Sequence, residues 1–138
     1  MSRGGAPDPQ SALVVVPRAL LGSSVAILLV AALLHSQGLH ASGPEVVSWM
    51  AVGLAVVAPL VATIVRGSGL VAPQPPSRDE AAADLFARLQ KTIVFFGLLE
   101  SAVIFCAVAL LASPPGWPLL AALLPLAVMA LNLPSRPA

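Results

Sequence analysis

TIVFFGLLESAVIFCAVALLA, residues 92–112, is an apolar run whose only charged residue is Glu100. About 20 apolar residues in an α-helix cross the ~30 Å hydrocarbon layer of a bilayer, and this run is long enough. A carboxyl group is costly to bury at that depth, so a membrane protein that keeps one has a use for it or a partner that neutralises it. The run therefore predicts a membrane span and makes Glu100 the first candidate functional residue.

The composition of the whole chain places it in the same class. Of the 138 residues, 58% are hydrophobic and 9% are charged, whereas soluble domains have about 45–50% and about 25%. The net charge of +1 gives no basic surface for nucleic acid. The single cysteine, Cys106, excludes an intrachain disulfide and a multi-cysteine metal site. We predict one membrane domain over residues 1–138, with the lipid bilayer as its first partner.

Four apolar blocks follow one another along the chain, and Pro, Trp, Ser or charge marks their ends. Pro17 precedes the first block, which puts residues 12–16 at the membrane interface. Trp49 and Trp117 open the second and fourth blocks on the same side, as interface anchors do. The predicted fold is all-α, an integral membrane four-helix bundle with spans at 18–39, 46–65, 92–112 and 117–133.

The basic residues predict the orientation of the bundle. The two loops at residues 35–45 and 113–116 contain no Lys or Arg. In a four-span arrangement all seven basic residues then fall on one side, which the positive-inside rule makes cytoplasmic. We expect a multi-pass protein of the cell membrane, of the bacterial inner-membrane kind, with both termini in the cytoplasm. The seven residues are Arg3, Arg18, Arg66, Arg78, Arg88, Lys91 and Arg136.

Residues 66–91 form the one long polar segment, on the cytoplasmic side. Its Gly- and Pro-rich first half predicts a flexible connection, as does the composition of residues 1–11. Ser77 and Glu80 have the spacing of a capping box, and no helix breaker separates Lys91 from Thr92. We expect one helix from about Arg78 to Ala112, whose protruding part either packs on neighbouring span ends or forms a docking surface.

An internal similarity links the two halves of the chain. LLGSSV at residues 20–25 aligns with LLESAV at residues 98–103, and Glu100 stands opposite Gly22. Two tandem helical hairpins would explain this pattern. Chance similarity between Leu-, Val- and Ala-rich segments explains it equally well.

Three roles are open for Glu100. It is a neutral carboxyl hydrogen-bonded between helices, a reversible proton or sodium site, or one half of an ion pair with Arg18 or a partner subunit. Ser23 and Ser24 of span one are candidate hydrogen-bond partners at a similar depth. Beside Glu100, a small-xxx-small pair suits close helix approach, and two further glycines are expected at helix contacts. These residues are Gly97 with Ser101, and Gly22 and Gly53.

FGLLESAVI, residues 96–104, resembles the carboxylate-bearing segment of the rotor-ring proteolipids, or c subunits, of rotary ATPases. AVGLAVVAP, residues 51–59, is similar to the first helix of that hairpin. The resemblance covers residues 46–112 and implies that Glu100 carries an ion. Only Gly53 remains of the regularly spaced glycines of that first helix, and the loop here is longer and richer in Pro. The whole chain also resembles small, uncharacterised four-span bacterial membrane proteins with a Glu-Ser or Glu-Ala pair in span three.

The sequence contains no set of residues typical of an enzyme: no nucleophile with base and orienter, no HxxxH pair and no P-loop. His35, His40 and Glu45 are close in sequence, but their spacing on a short loop favours solvated polar residues over a metal site. We expect no metal, no cofactor and no catalytic activity. The predicted function is that of a non-catalytic accessory or structural membrane component, working with copies of itself or other subunits. The alternative is a proton- or sodium-translocating proteolipid.

Overall fold

The computed structural model describes residues 9–68 and 80–133, and within them the chain forms four α-helices. The all-α prediction is confirmed. The residues Ser77–Asp79 of the expected capping box lie outside the described residues, as do 1–8 and 134–138. The helices are α1, Pro9–Ser36; α2, Val46–Ser68; α3, Glu80–Ala112; and α4, Trp117–Leu131.

Helix α3 is the centre of the molecule. It packs against each of the other three helices, while α4 also packs against α2 and, less closely, against α1. Two contacts show the relative directions of α2 and α4: Trp49 stacks edge-on against Trp117, and Arg66 donates to Asn132 Oδ1. The first contact joins the starts of the two helices and the second joins their ends, so α2 and α4 run parallel.

The remaining helix directions follow from cross-helix contacts of α3. Ser48 pairs with Ser113 near the start of α2, whereas Arg66 at its end lies over Phe95, so α2 and α3 are antiparallel. Helices α1 and α3 are parallel, because Ser23 contacts Glu100 and His35 contacts Leu110. The bundle thus has a tryptophan end, at Trp49 and Trp117, and a basic end, where α2 finishes at Arg66.

Packing does not divide the chain into two equivalent hairpins. Helices α3 and α4 contact each other, but α1 and α2 do not, and α1 lies against α3 instead. The described helices therefore do not pack as the two tandem hairpins that the internal similarity suggested. Helix α3 packs against both α1 and α2, and it has buried apolar residues along its length, so α1 and α2 meet α3 and not each other.

The limits of α1 differ from the predicted span at both ends. The helix begins at Pro9 and passes through the buried Pro17, so residues 9–11 are helical and not part of a flexible terminus. It ends at Ser36, before Leu39. Gly38 has φ +78°, and the amides of Gly38 and Leu39 donate to the carbonyls of His35 and Leu34. This is a Schellman motif, in which glycine takes the left-handed position after the helix.

Helices α2 and α3 extend beyond the apolar blocks. Arg66, Gly67 and Ser68 continue α2, which corrects the expectation that they begin the flexible connection. Helix α3 is continuous from Glu80 to Ala112, so its polar first part and its apolar second part form one helix.

Three helices are long and apolar enough to cross a membrane: Ser11–Ser36, Val46–Gly67 and Asp84–Ala112. Helix α4 has 15 residues and a length of about 22 Å, short of the ~30 Å hydrocarbon layer. Its ends nevertheless contact α2 at Trp49 and at Arg66, so it covers most of the distance between the two ends of the bundle.

Small residues line the interior, and large apolar side chains cover the outside. Ala51, Ala55, Ala58 and Ala62 lie on one buried face of α2, spaced by three or four residues as a helix face requires. Phe96, Leu99 and Met129 fill the interior nearer the basic end. The outward side chains include many Leu, Val and Ile, a distribution that suits a lipid environment.

Candidate functional site

Glu100 lies at the contact between α1 and α3 on the outer surface of the bundle. Its Oε1 is 2.8 Å from Ser23 Oγ, and Ser23 Oγ is also 3.0 Å from the carbonyl oxygen of Leu20. The carboxyl group is half-buried, while Ser23 is exposed. On an ideal helix Glu100 is about 12 Å from Thr92, which puts it well inside the apolar part of α3.

The proton of the Ser23 hydroxyl makes this contact depend on the state of the carboxyl group. A hydroxyl carries a single proton to donate, although its oxygen can accept as well. If Glu100 is ionised, Ser23 donates to it and weakens its bond to Leu20. If Glu100 is neutral, it can donate to Ser23 Oγ, which then donates to the Leu20 carbonyl. With a neutral carboxyl group, both contacts of the Ser23 hydroxyl, to Glu100 and to the Leu20 carbonyl, are hydrogen bonds at the same time.

Ser23 is the only hydrogen-bond partner that the described residues offer to Glu100. Ser101 lies beside it, but its hydroxyl donates to the carbonyls of Gly97 and Leu98 in its own helix. Ser24 faces inward, and its buried Oγ has no partner among the described residues. The described residues also contain no ion pair between Arg18 and Glu100. Of the four predicted polar site residues, the structure brings together Glu100 and Ser23.

The three glycines expected at helix contacts have open space beside them in the described part of the chain. A Cβ built at Gly22, Gly53 or Gly97 meets none of the described residues within 4 Å. A role for these glycines in helix packing stays a prediction. A close approach that does require glycine occurs at Gly43, where a Cβ would overlap the carbonyl oxygen of Ala112.

An open apolar groove continues from the Glu100 site towards the tryptophan end. Its volume is about 370 Å³, and α1 and α3 form its walls. Ile27 stands one turn beyond Ser23, and Ile104 one turn beyond Glu100, so one end of the groove lies about one helical turn from the polar pair. Sequence analysis did not find this groove, because it depends on which faces of α1 and α3 are turned outward. Its lining includes Ala26, Ile27 and Val30 of α1 and Ile104, Ala107 and Val108 of α3.

His35 and His40 have structural contacts near the tryptophan end. Their rings stack with centroids 4.7 Å apart, and His35 Nδ1 lies 2.7 Å from the carbonyl oxygen of Leu110. The described residues contain no group of three or more His, Cys, Asp or Glu that could hold a metal ion. Glu45 makes no side-chain contact with either histidine in the described part of the chain.

Comparison with protein-family models, curated proteins and solved structures finds no match to this chain. The geometry described above is therefore the basis for any functional argument.

Proposed function

We propose that this chain is a polytopic membrane protein that serves as a non-catalytic accessory subunit. It assembles with another transmembrane helix, from a second copy or a partner, along the face formed by α1 and α3. The observation that carries the proposal is the position of Glu100 and Ser23 on the outer surface of apolar helices. Polar groups facing lipid are costly, and burying them against another helix removes that cost.

Several properties of this face support helix docking. The groove beside Glu100 is lined by apolar side chains, including the small residues Ala26 and Ala107. Gly22 and Gly97 lie near its polar end with open space above them. In membranes, helices associate through small residues that allow close packing and through hydrogen bonds between polar side chains. Since Glu100 has two oxygens and only one described partner, it can accept or donate a further bond across such an interface.

The same proposal includes the topology. We infer that the basic end faces the cytoplasm, as the positive-inside rule requires, and that all four helices cross the membrane. Both termini are then cytoplasmic. The bilayer adapts to the short α4 by local thinning, which costs fractions of a kcal/mol for each ångström of mismatch.

A photo-reactive residue placed in native membranes tests the docking face. A photo-reactive amino acid at Ile27, in the groove, should form adducts with another polypeptide, which intact mass would identify. The same residue at Leu60 is the control, since Leu60 is also an exposed apolar residue but lies on α2. Lipid adducts alone at Ile27, or equal protein adducts at both positions, would reject the docking face.

Substitution of Glu100 tests the polar contribution. Glu100→Gln can still donate to Ser23 and to a neighbouring helix, so adducts at Ile27 should persist. Glu100→Leu removes the polar contact, worth about 0.6–2 kcal/mol in membranes, and should weaken assembly about 3- to 30-fold. Glu45→Gln in the loop is the matched control and should change nothing.

An ion carrier is the second candidate, because the Glu100 carboxyl is half-buried rather than sealed inside the bundle. The resemblance to rotor-ring proteolipids favours the same role. Carbodiimide labelling of native membranes should then modify Glu100 selectively, fall as pH rises or be blocked by sodium. Under this alternative Glu100→Gln stops ion movement, whereas an assembly role survives that substitution.

A further inference from the structure

A second cavity, separate from the Glu100 site, opens at the basic end of the bundle. Its volume is about 320 Å³, at the lower end of the ~300–1,000 Å³ range of small-molecule sites. Residues of α1, α2 and α3 line it together with the residue that follows α4, so it exists only in the assembled fold. We call it the basic cavity and define it by Leu13 of α1, Arg66 of α2, Arg88, Lys91 and Phe96 of α3, and Asn132 directly after α4.

The charged side chains that line this cavity all have the same sign in the described part of the chain. Three of its described lining residues are cationic and none is acidic. The one nearby acidic contact is Asp84, whose Oδ2 lies 3.1 Å from Arg88 Nε. Both side chains of that ion pair are exposed to solvent, and exposed ion pairs contribute little to stability. It also leaves the two terminal nitrogens of Arg88 available.

Arg66 is held in place before any ligand binds. Its Nη1 donates to Asn132 Oδ1 at 3.3 Å, and its guanidinium group lies 4.6 Å from the centre of the Phe95 ring. Asn132 is itself fixed, because its Nδ2 donates to the carbonyl of Val128 at 2.7 Å. A guanidinium group has five N–H donors, so most of them remain for another acceptor.

Lys91 adds a third cation to the lining of the cavity. Lys91 is half-buried, and its ammonium group has no hydrogen-bond or ion-pair partner among the described residues. One helical turn separates it from Arg88 on α3, and Arg66 approaches from α2. An anion with several oxygens can bind all three cations, and a phosphate group is such an anion.

We propose that the basic cavity binds the phosphate group of an anionic phospholipid headgroup. The lipid source follows from the position of the cavity, at the end of three membrane-length helices where headgroups lie. Leu13 and Phe96 supply the apolar part of the lining, next to which the glycerol and acyl chains can continue. Three cations without a lining acid favour a headgroup with net negative charge over a zwitterionic one. The site does not depend on the proposed assembly through Glu100.

Native mass spectrometry of the full chain, released from nanodiscs with equal amounts of phosphatidylglycerol and phosphatidylcholine, tests the site. The wild-type protein should retain phosphatidylglycerol preferentially. Each Lys or Arg near an anionic lipid contributes about fivefold in affinity, so Lys91→Gln with Arg88→Gln should lower the preference by about 25-fold. Arg18→Gln is the matched control, because Arg18 is a basic residue of the same end of the bundle but does not line the cavity.

Two further experiments, one with a second pair of variants and one with inorganic phosphate, complete the test. The charge-conserving pair Lys91→Arg and Arg88→Lys should retain the preference, which separates loss of charge from a folding defect. Inorganic phosphate at millimolar concentration should fail to displace the lipid; displacement would keep the phosphate site but overturn the lipid source. Equal retention of both lipids by the wild type would overturn the site. So would a loss in Arg18→Gln as large as in the cavity variants.

Discussion

Gly43, in the loop between α1 and α2, has a position that leaves no room for a side chain. Its amide donates to the carbonyl oxygen of Ala112 at 2.8 Å, and a Cβ at this position would overlap the same oxygen. Gly43→Ala should separate the loop from the end of α3 and break this bond. A buried or partly buried hydrogen bond that is lost costs about 1–3 kcal/mol, and we expect a loss of stability in that range.

Thermal unfolding in detergent measures this effect, and Gly53→Ala is the control. Gly53 lies inside α2 with nothing within 4 Å of a built Cβ. Alanine is favoured over glycine in a helix by about 0.5–1 kcal/mol, so Gly53→Ala should be neutral or stabilising. If the two substitutions had equal effects, the close approach at Gly43 would not contribute to stability.

These glycines show which properties of single residues the sequence can predict and which it cannot. Gly22, Gly53 and Gly97 are small residues that suit helix packing, but the sequence does not show which side of a helix meets a neighbour. Gly43 has no recognisable signal, because its role depends on the path of a loop past the end of α3. The pairing of Glu100 with Ser23 was among the predicted options, since depth in the membrane limits the candidates. The missing partner of Ser24 could not be predicted, because it depends on helix rotation.

At the scale of helices, the C-terminal end of α3 explains the position of the loop after α1. Pro114 and Pro115 have no N–H to donate to the carbonyls of Leu110 and Leu111, four residues earlier. His35 Nδ1 contacts the first carbonyl and the amide of Ala41 donates to the second. A Pro-Pro pair is expected to stop a helix. That it also creates acceptors for a distant loop could not be predicted, because the partner lies about 75 residues away.

Ser48 and Ser113 join α2 to α3 at the same level, and the geometry predicts unequal effects when each is removed. Their hydroxyl oxygens are 2.7 Å apart and buried, and Ser113 also contacts the carbonyl of Ala109 at 3.1 Å. In Ser48→Ala, Ser113 keeps its acceptor. In Ser113→Ala, the Ser48 hydroxyl loses its acceptor in a buried site. We expect Ser113→Ala to cost about 1 kcal/mol more than Ser48→Ala.

Unfolding of the two single variants and the double variant in detergent gives the coupling energy. The double variant should cost less than the sum of the single ones, because the interaction is lost only once. Additive effects, or a larger cost for Ser48→Ala, would contradict this assignment of donor and acceptor. Ser42→Ala in the exposed loop provides the control for loss of a hydroxyl without a buried partner.

Across the whole chain, the apolar blocks predicted where each helix lies more accurately than they predicted the residues at which it begins and ends. The second and third apolar blocks lie within α2 and α3, because an apolar run of about 20 residues is long enough to be read as a single helix. Polar or Pro-containing extensions were underestimated: Pro17 was taken as a boundary, yet α1 passes through it, and α2 continues beyond Arg66. The central position of α3 could not be predicted, since chain order does not show which helices are neighbours.

The crossing of the membrane by α4 has a direct test. Helix α4 is about 22 Å long, but it extends from Trp117 beside Trp49 to Asn132 beside Arg66. We therefore expect it to cross with α2 and to return the C-terminus to the basic end. Cysteines introduced as Ser42→Cys, Asp84→Cys and an appended C-terminal residue should report this. The native Cys106 is fully buried, so it contributes little background.

A membrane-impermeant thiol reagent on intact cells should label Ser42→Cys, while the other two positions should react only after the cells are opened. Labelling of the C-terminal cysteine in intact cells, with Asp84→Cys still protected, would mean that α4 does not cross and that three helices span the membrane. The reverse pattern, in which Ser42→Cys reacts only in opened cells, would invert the whole bundle. In that case the basic cavity would face outward, and anionic headgroups of the outer leaflet would be its ligand.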